Sequence, residues 1–136
     1  MTDFPDRQSV ATALAETVMA LPEVLVVTDS DDILAALMGK GAPHQVQLVD
    51  VRRGDDGVTI GEVPAATDVI VVLIGVETGR TAAGLATSLR AAGAQRLTLV
   101  TALLPRQTEN LLVDHYDKFL ALLRPLAPRS LRWHVG

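Results

Sequence analysis

The stretch "VIVVLIGVETGRTAAGLATSLRAAGAQRLTLVT", Val69 to Thr101, limits the folds open to this chain more than any other. Val69 to Ile74 is apolar at every position, as expected of a strand covered on both faces. From Thr81 to Ala92, the residues Ala82, Leu85, Ala86 and Leu89 recur at helical spacing, and their small members permit close approach to a sheet. Gly93 supplies a C-terminal stop, and "QRLTLVTALL" reads as a second buried strand that ends at Pro105. Strand, loop, helix and strand in this order make a right-handed crossover unit. The loop at Gly75 to Thr81 then opens at the carboxyl edge of a parallel sheet, where sites in open α/β sheets gather.

The rest of the chain fits the same plan. Val10, Leu14, Val18 and Leu21 repeat at helical spacing after Ser9, a predicted N-cap, and Pro22 ends the run. "EVLVVT" reads as a short buried strand, and "DSDDILAALMGKG" as a helix opened by capping residues and by charges suited to a helix N-terminus. "HQVQLVDVRR" and "VTIGEV", joined through the turn residues Asp55-Asp56-Gly57, predict a hairpin. Thr108 to Leu123 predicts one long amphipathic helix with Leu112, Tyr116, Phe119, Leu120 and Leu123 on a single face, followed by a short strand at Leu131 to Val135. Residues 1–136 therefore read as a single α/β domain with a mainly parallel central sheet flanked by helices.

Composition narrows the function. The chain carries a formal net charge of −4, which disfavours a nucleic acid polymer as partner, because phosphate neutralisation needs a basic surface. It has no cysteine, so disulfides, thiolate catalysis and cysteine-held metal are excluded. "MTDFPDRQ" lacks the basic start and apolar run of a signal peptide, and Val69 to Gly75 is far short of the roughly 20 residues that cross a bilayer. The expectation is a cytoplasmic protein without a membrane partner.

The chemistry centres on Thr78-Gly79-Arg80-Thr81. Gly79 can take dihedrals closed to other residues and lets an anion approach the backbone, while the first N–H groups of the following helix point at it. Thr78 and Thr81 add hydroxyls, and Arg80, Arg52 and Arg53 are candidate phosphate contacts or plain surface charges. The plain alternative is a glycine turn with Thr81 as helix cap. Asp29, Asp31 and Asp32 follow the first strand at the same sheet edge and are candidates for a cation site or for helix capping. His44, His115 and His134 have no metal-type spacing, and His115 is expected on a solvated helix face. The apolar stripe of the long helix suits core packing. The late aromatics Tyr116, Phe119 and Trp133 also allow a homodimer interface.

Apolar strand, Thr-Gly-x-Thr loop and small-residue helix together resemble the phosphoribosyl pyrophosphate motif of type I phosphoribosyltransferases. The likeness extends over about Val24 to Leu104. It implies a type I phosphoribosyltransferase-like fold in which Thr78, Gly79, Arg80 and Thr81 hold a 5′-phosphate. It also implies that Glu77 stands where hypoxanthine-type members place an acid that acts on the base. The implied partner is a phosphoribosyl compound or nucleotide, with Mg2+ as cofactor and Asp29, Asp31 or Asp32 as its ligands. Two positions depart from the family's pattern. Leu73 and Ile74 stand where the family has paired acids for the ribose hydroxyls, and aliphatic side chains accept no hydrogen bond. The loop Thr28 to Asp32 is acidic where the family binds diphosphate with a basic segment, and carboxylates there repel one. The sequence thus implies recognition of a 5′-phosphate, with transferase activity in doubt. The alternative is a non-enzymatic module that keeps the fold and acts through dimer or partner contacts.

Overall fold

The computed structural model describes residues 6–76 and 78–125. Chain order runs through α1 (Arg7–Met19), β1 (Leu25–Thr28), α2 (Asp31–Gly39), β2 (Val46–Leu48), β3 (Val51–Gly54) and β4 (Gly57–Ile60). It continues through β5 (Asp68–Leu73), α3 (Arg80–Ala91), β6 (Arg96–Leu103), α4 (Arg106–Leu112) and β7 (Lys118–Leu123). Five strands form one sheet in the order β2-β1-β5-β6-β7, every pair parallel, and β3 and β4 make a separate antiparallel hairpin.

The central strand shows why the sheet is sandwiched. Along β5 and just past it, Val69, Val71 and Leu73 enter the layer that holds Ala82, Leu85, Ala86 and Leu89 of α3. Ile70, Val72 and Ile74 enter the opposite layer, with Val10, Leu14 and Val18 of α1 and Ile33 and Leu37 of α2. Period-two side chains with apolar partners on both sides make a run of six hydrophobics soluble. Truncating a fully buried member such as Leu85 or Leu14 to Ala leaves a cavity and should cost about 2–5 kcal/mol.

The main departure from the sequence reading concerns Thr108 to Leu123. The predicted single helix is instead α4, a turn, and the edge strand β7, which pairs with β6. Phe119 and Ala121 pack on the α3 layer and Leu120 on the other, so these side chains alternate across a sheet instead of sharing a helix face. No glycine or proline stands between Arg106 and Arg124 to mark the break. Tertiary bonds make it: Asp117 accepts the Leu97 N–H at 2.9 Å, its own N–H donates to the Leu97 carbonyl, and Arg90 grips the His115 carbonyl. His115 therefore lies in this half-buried turn, not on a solvated helix face.

A second correction concerns "HQVQLVDVRR". Its first half, β2, joins the main sheet beside β1, and only Val51–Gly54 pairs with β4 in the hairpin. Two caps also differ. Asp6, not Ser9, caps α1 by accepting the Ser9 N–H at 2.7 Å, and Gly79, not Thr81, is the N-cap of α3. The predicted strand at Leu131 to Val135 and the residue Trp133 lie outside the described residues.

Candidate functional site

The order β2-β1-β5-β6-β7 reverses direction between β1 and β5, because β1 leads to α2 on one face and β5 to α3 on the other. The loops that leave these two strands diverge and leave a crevice at the carboxyl edge of the sheet. A cleft of about 690 Å3 opens there. One wall is Asp29 to Asp32, the other is Thr78 to Ala82, and the floor is Leu73 to Val76.

The loop after β5 carries the conformation the sequence predicts. Gly79 has φ +86°, in the left-handed region, and opens α3 with no side chain capping the helix. No acid stands in the first turn of α3. The N–H groups of Arg80, Thr81 and Ala82 occupy the positions that lack intrahelical acceptors, and all three residues line the cleft. A Cβ on Gly79 would stand 3.1 Å from Thr108 Cγ2 and close to Leu112, so α4 braces the loop from behind. Tyr116 braces the same turn: its buried hydroxyl donates to the Ala82 carbonyl at 2.7 Å, and burial pushes its phenol well above the usual range.

Arg53 closes the cleft from the side. Its Nε donates to Thr81 Oγ1 at 3.0 Å, and a terminal nitrogen lies 3.6 Å from Asp29 Oδ2, so one exposed guanidinium spans both loops. The hairpin β3–β4 delivers it by resting on α3. Gly84 makes this seat possible, since a Cβ there would stand 3.2 Å from Ile60 Cγ1. The sequence paired Arg52 and Arg53 without separating them. The hairpin sends Arg53 to the cleft, and Arg52 turns to Asp50 instead. Arg7, at the start of α1, also lines the cleft and escaped the sequence reading altogether, being distant in sequence and without a motif.

The acidic wall is committed differently. Ser30 caps α2 by accepting the Ile33 N–H, Asp31 and Asp32 sit in the first helical turn, and Arg7 approaches Asp32 at 3.9 Å. Asp29 is largely buried. Burial pushes its carboxyl above the ordinary carboxylate range, and the Arg53 guanidinium offsets part of that shift. Among the described residues, no three His, Asp or Glu side chains converge as a metal-binding group. Two of these carboxylates, Asp29 and Asp32, face arginines, a poor fit to a protein-held Mg2+. Glu77 lies outside the described residues.

Neither a family model nor a curated protein matches the sequence. Solved structures do match. The TT1426 protein of Thermus thermophilus superposes with TM-score 0.70 at 15% identity, covering 99% of this chain and 90% of that one. A purine phosphoribosyltransferase from Pyrococcus horikoshii gives 0.57 at 16% identity over 89% of this chain and 88% of its own. The fold is type I phosphoribosyltransferase-like. A Neisseria gonorrhoeae hypothetical protein with bound ppGpp gives 0.59 at 11% identity, covering all of this chain and 88% of that one. Within this phosphoribosyltransferase-like fold, Thr78, Gly79, Arg80 and Thr81 stand together at one cleft with Asp29, Asp31 and Asp32. The same cleft has the aliphatic Leu73 and Ile74 in its floor. No helix among the described residues is long and apolar enough to cross a membrane.

Proposed function

We propose that the cleft binds the phosphate of a nucleotide or phosphoribosyl compound through the backbone and hydroxyls of residues 78–81, with Arg53 as the closing cation. The observation that carries this reading is the start of α3. A left-handed Gly79 leaves the helix uncapped by any side chain, and Arg53 is already bonded to Thr81 beside it. A dianionic phosphate there would gain several N–H donors and a charge-assisted bond from a guanidinium.

Transfer of a phosphoribosyl group asks for more. A ribose must be held, a leaving diphosphate neutralised and water excluded. The floor offers aliphatic side chains and the facing wall offers carboxylates, so this reading is of a binding site first. If a base is also taken, Glu77 is assigned to contact it, and Glu77→Gln should lower turnover while leaving phosphate binding in place.

Thermal unfolding tests the reading. Phosphoribosyl pyrophosphate with magnesium, nucleoside monophosphates, ribose 5-phosphate and ppGpp would each be added at millimolar concentration; ppGpp belongs in the set because a protein of this fold has been seen with it. A ligand at about 100 times its Kd adds roughly 2.7 kcal/mol of stability, which raises Tm by several degrees in a domain of this size. A shift that shrinks clearly in Arg53→Ala supports the site. No shift with any of these ligands would reject it and turn attention to protein partners.

A further inference from the structure

The two walls of the cleft carry opposite charge, and most of that charge is already matched within the protein. Asp29 faces Arg53 at 3.6 Å, and Asp32 faces Arg7 at 3.9 Å. Among the described residues that line the cleft, the charged side chains without a partner are Arg80 and Asp31. They stand on opposite walls. Arg80 opens α3 beside the uncapped helix start, and Asp31 lies exposed in the first turn of α2.

The gap between the walls is small enough for one ligand to meet both. Where Arg53 crosses it, a single guanidinium reaches Thr81 Oγ1 at 3.0 Å and Asp29 Oδ2 at 3.6 Å, and Asp31 stands two residues beyond Asp29. A phosphate seated at residues 78–81 therefore brings its negative charge to face a wall of carboxylates. A neutral ester body leaves that repulsion standing. An ammonium on the body offsets it and gives Asp31 the cation that the chain itself does not supply. A hydroxyl in the same place can donate to Asp31 but sets no charge against it.

We propose, on the reading above, that the cleft takes a dipolar phosphomonoester, one whose body carries an ammonium group, with Asp31 as the residue that recognises the cation. The phosphate end goes to the Thr78–Thr81 loop, Arg53 and Arg80. The amine end goes to the α2 wall.

Calorimetric titration at low ionic strength, with a chelator present, tests this with 2-aminoethyl phosphate, 2-hydroxyethyl phosphate and inorganic phosphate on the wild-type chain and on Asp31→Asn. The two esters match in size and both carry a donor, so they differ in the charge at that end. The amine should bind more tightly to the wild type, and its preference over the hydroxyl ester should fall by about two- to five-fold in Asp31→Asn, the range expected of an exposed ion pair. An amine also promotes ionisation of its own phosphate, but the variant leaves that effect in place, so the part of the preference lost is the part that Asp31 supplies. No preference for the amine, or one that Asp31→Asn leaves unchanged, would overturn the selectivity while leaving the phosphate site standing. If neither ester nor inorganic phosphate binds the wild type, the site itself is rejected and the selectivity with it.

Discussion

Two helix starts face each other across the cleft, and the chain treats them in opposite ways. At α2, Ser30 caps the helix by accepting the Ile33 N–H, and Asp31 and Asp32 bring carboxylates into its first turn, so the positive dipole end is met from within. At α3 the cap is a left-handed glycine, no side chain caps the helix, and no acid stands in the first turn. The difference assigns roles. An anion finds the α2 end already occupied by the protein's own charges, and the α3 end open with Arg53 beside it.

The largest expected effect comes from closing the open end. Gly79→Val forces a β-branched residue into φ +86° and drives its Cβ to 3.1 Å from Thr108 Cγ2. Backbone strain and overpacking should together cost about 3 kcal/mol of stability, and phosphate binding should fall with it. Chemical denaturation reads the first and calorimetry the second. A variant as stable as wild type would show that α4 does not brace the loop. Since this substitution acts on folding as well as on the ligand, binding alone is better read at Arg53.

Arg53→Ala sharpens the contrast with less disturbance. Its guanidinium is exposed and its ion pair with Asp29 spans 3.6 Å, so the pair should contribute under about 1 kcal/mol to stability. A charge-assisted bond to a phosphate is worth about 1.5–3 kcal/mol, or roughly ten- to a hundred-fold in Kd. Calorimetry with a ligand that shifts the wild type should show that loss with little change in Tm. An unchanged Kd would return Arg53 to the role of a surface charge.

The closed end gives the converse. Ser30→Ala removes the acceptor for the Ile33 N–H and should cost about 1 kcal/mol by denaturation, while phosphate affinity stays at the wild-type value. A large loss of affinity would mean that both helix starts hold the ligand.

How far the sequence carried these regions follows from the range of the forces involved. The loop after β5 was legible because its signals are local: an apolar strand, a glycine with threonines on either side, and a small-residue helix. The sandwich was legible from β5 itself, since hydrophobics on both faces of a strand need two layers. What failed was decided across the chain. Helical spacing from Thr108 to Leu123 was a coincidence of side chains that alternate on β7, and the break at residues 113–117 is made by Leu97 and Arg90, about twenty or more residues away in sequence. The Arg53–Thr81 bridge was hidden for the same reason, since it depends on a hairpin seated against Gly84 of α3.

The smallest effect concerns the acidic wall and appears only as a pH dependence. Asp29 has its folded pKa raised above the ordinary 3.8, chiefly by burial, so between the two values the folded chain binds more protons than the unfolded one. Its contribution therefore lowers stability as pH rises through that window, and the cost persists at neutral pH. Asp117 is the opposite case: the Leu97 N–H, with help from Arg90, holds its folded pKa below 3.8, so it adds stability that is lost as pH falls through that lower value. Asp29→Asn should thus raise Tm modestly at pH 7 and lose that gain well below 3.8. Asp117→Asn should lower Tm at pH 7, with the deficit shrinking in acid. Melting curves from pH 3 to pH 7 would separate the two. If both variants moved Tm in the same direction at every pH, burial would not be what governs Asp29, and the acidic wall could no longer be read as a region already neutralised from within.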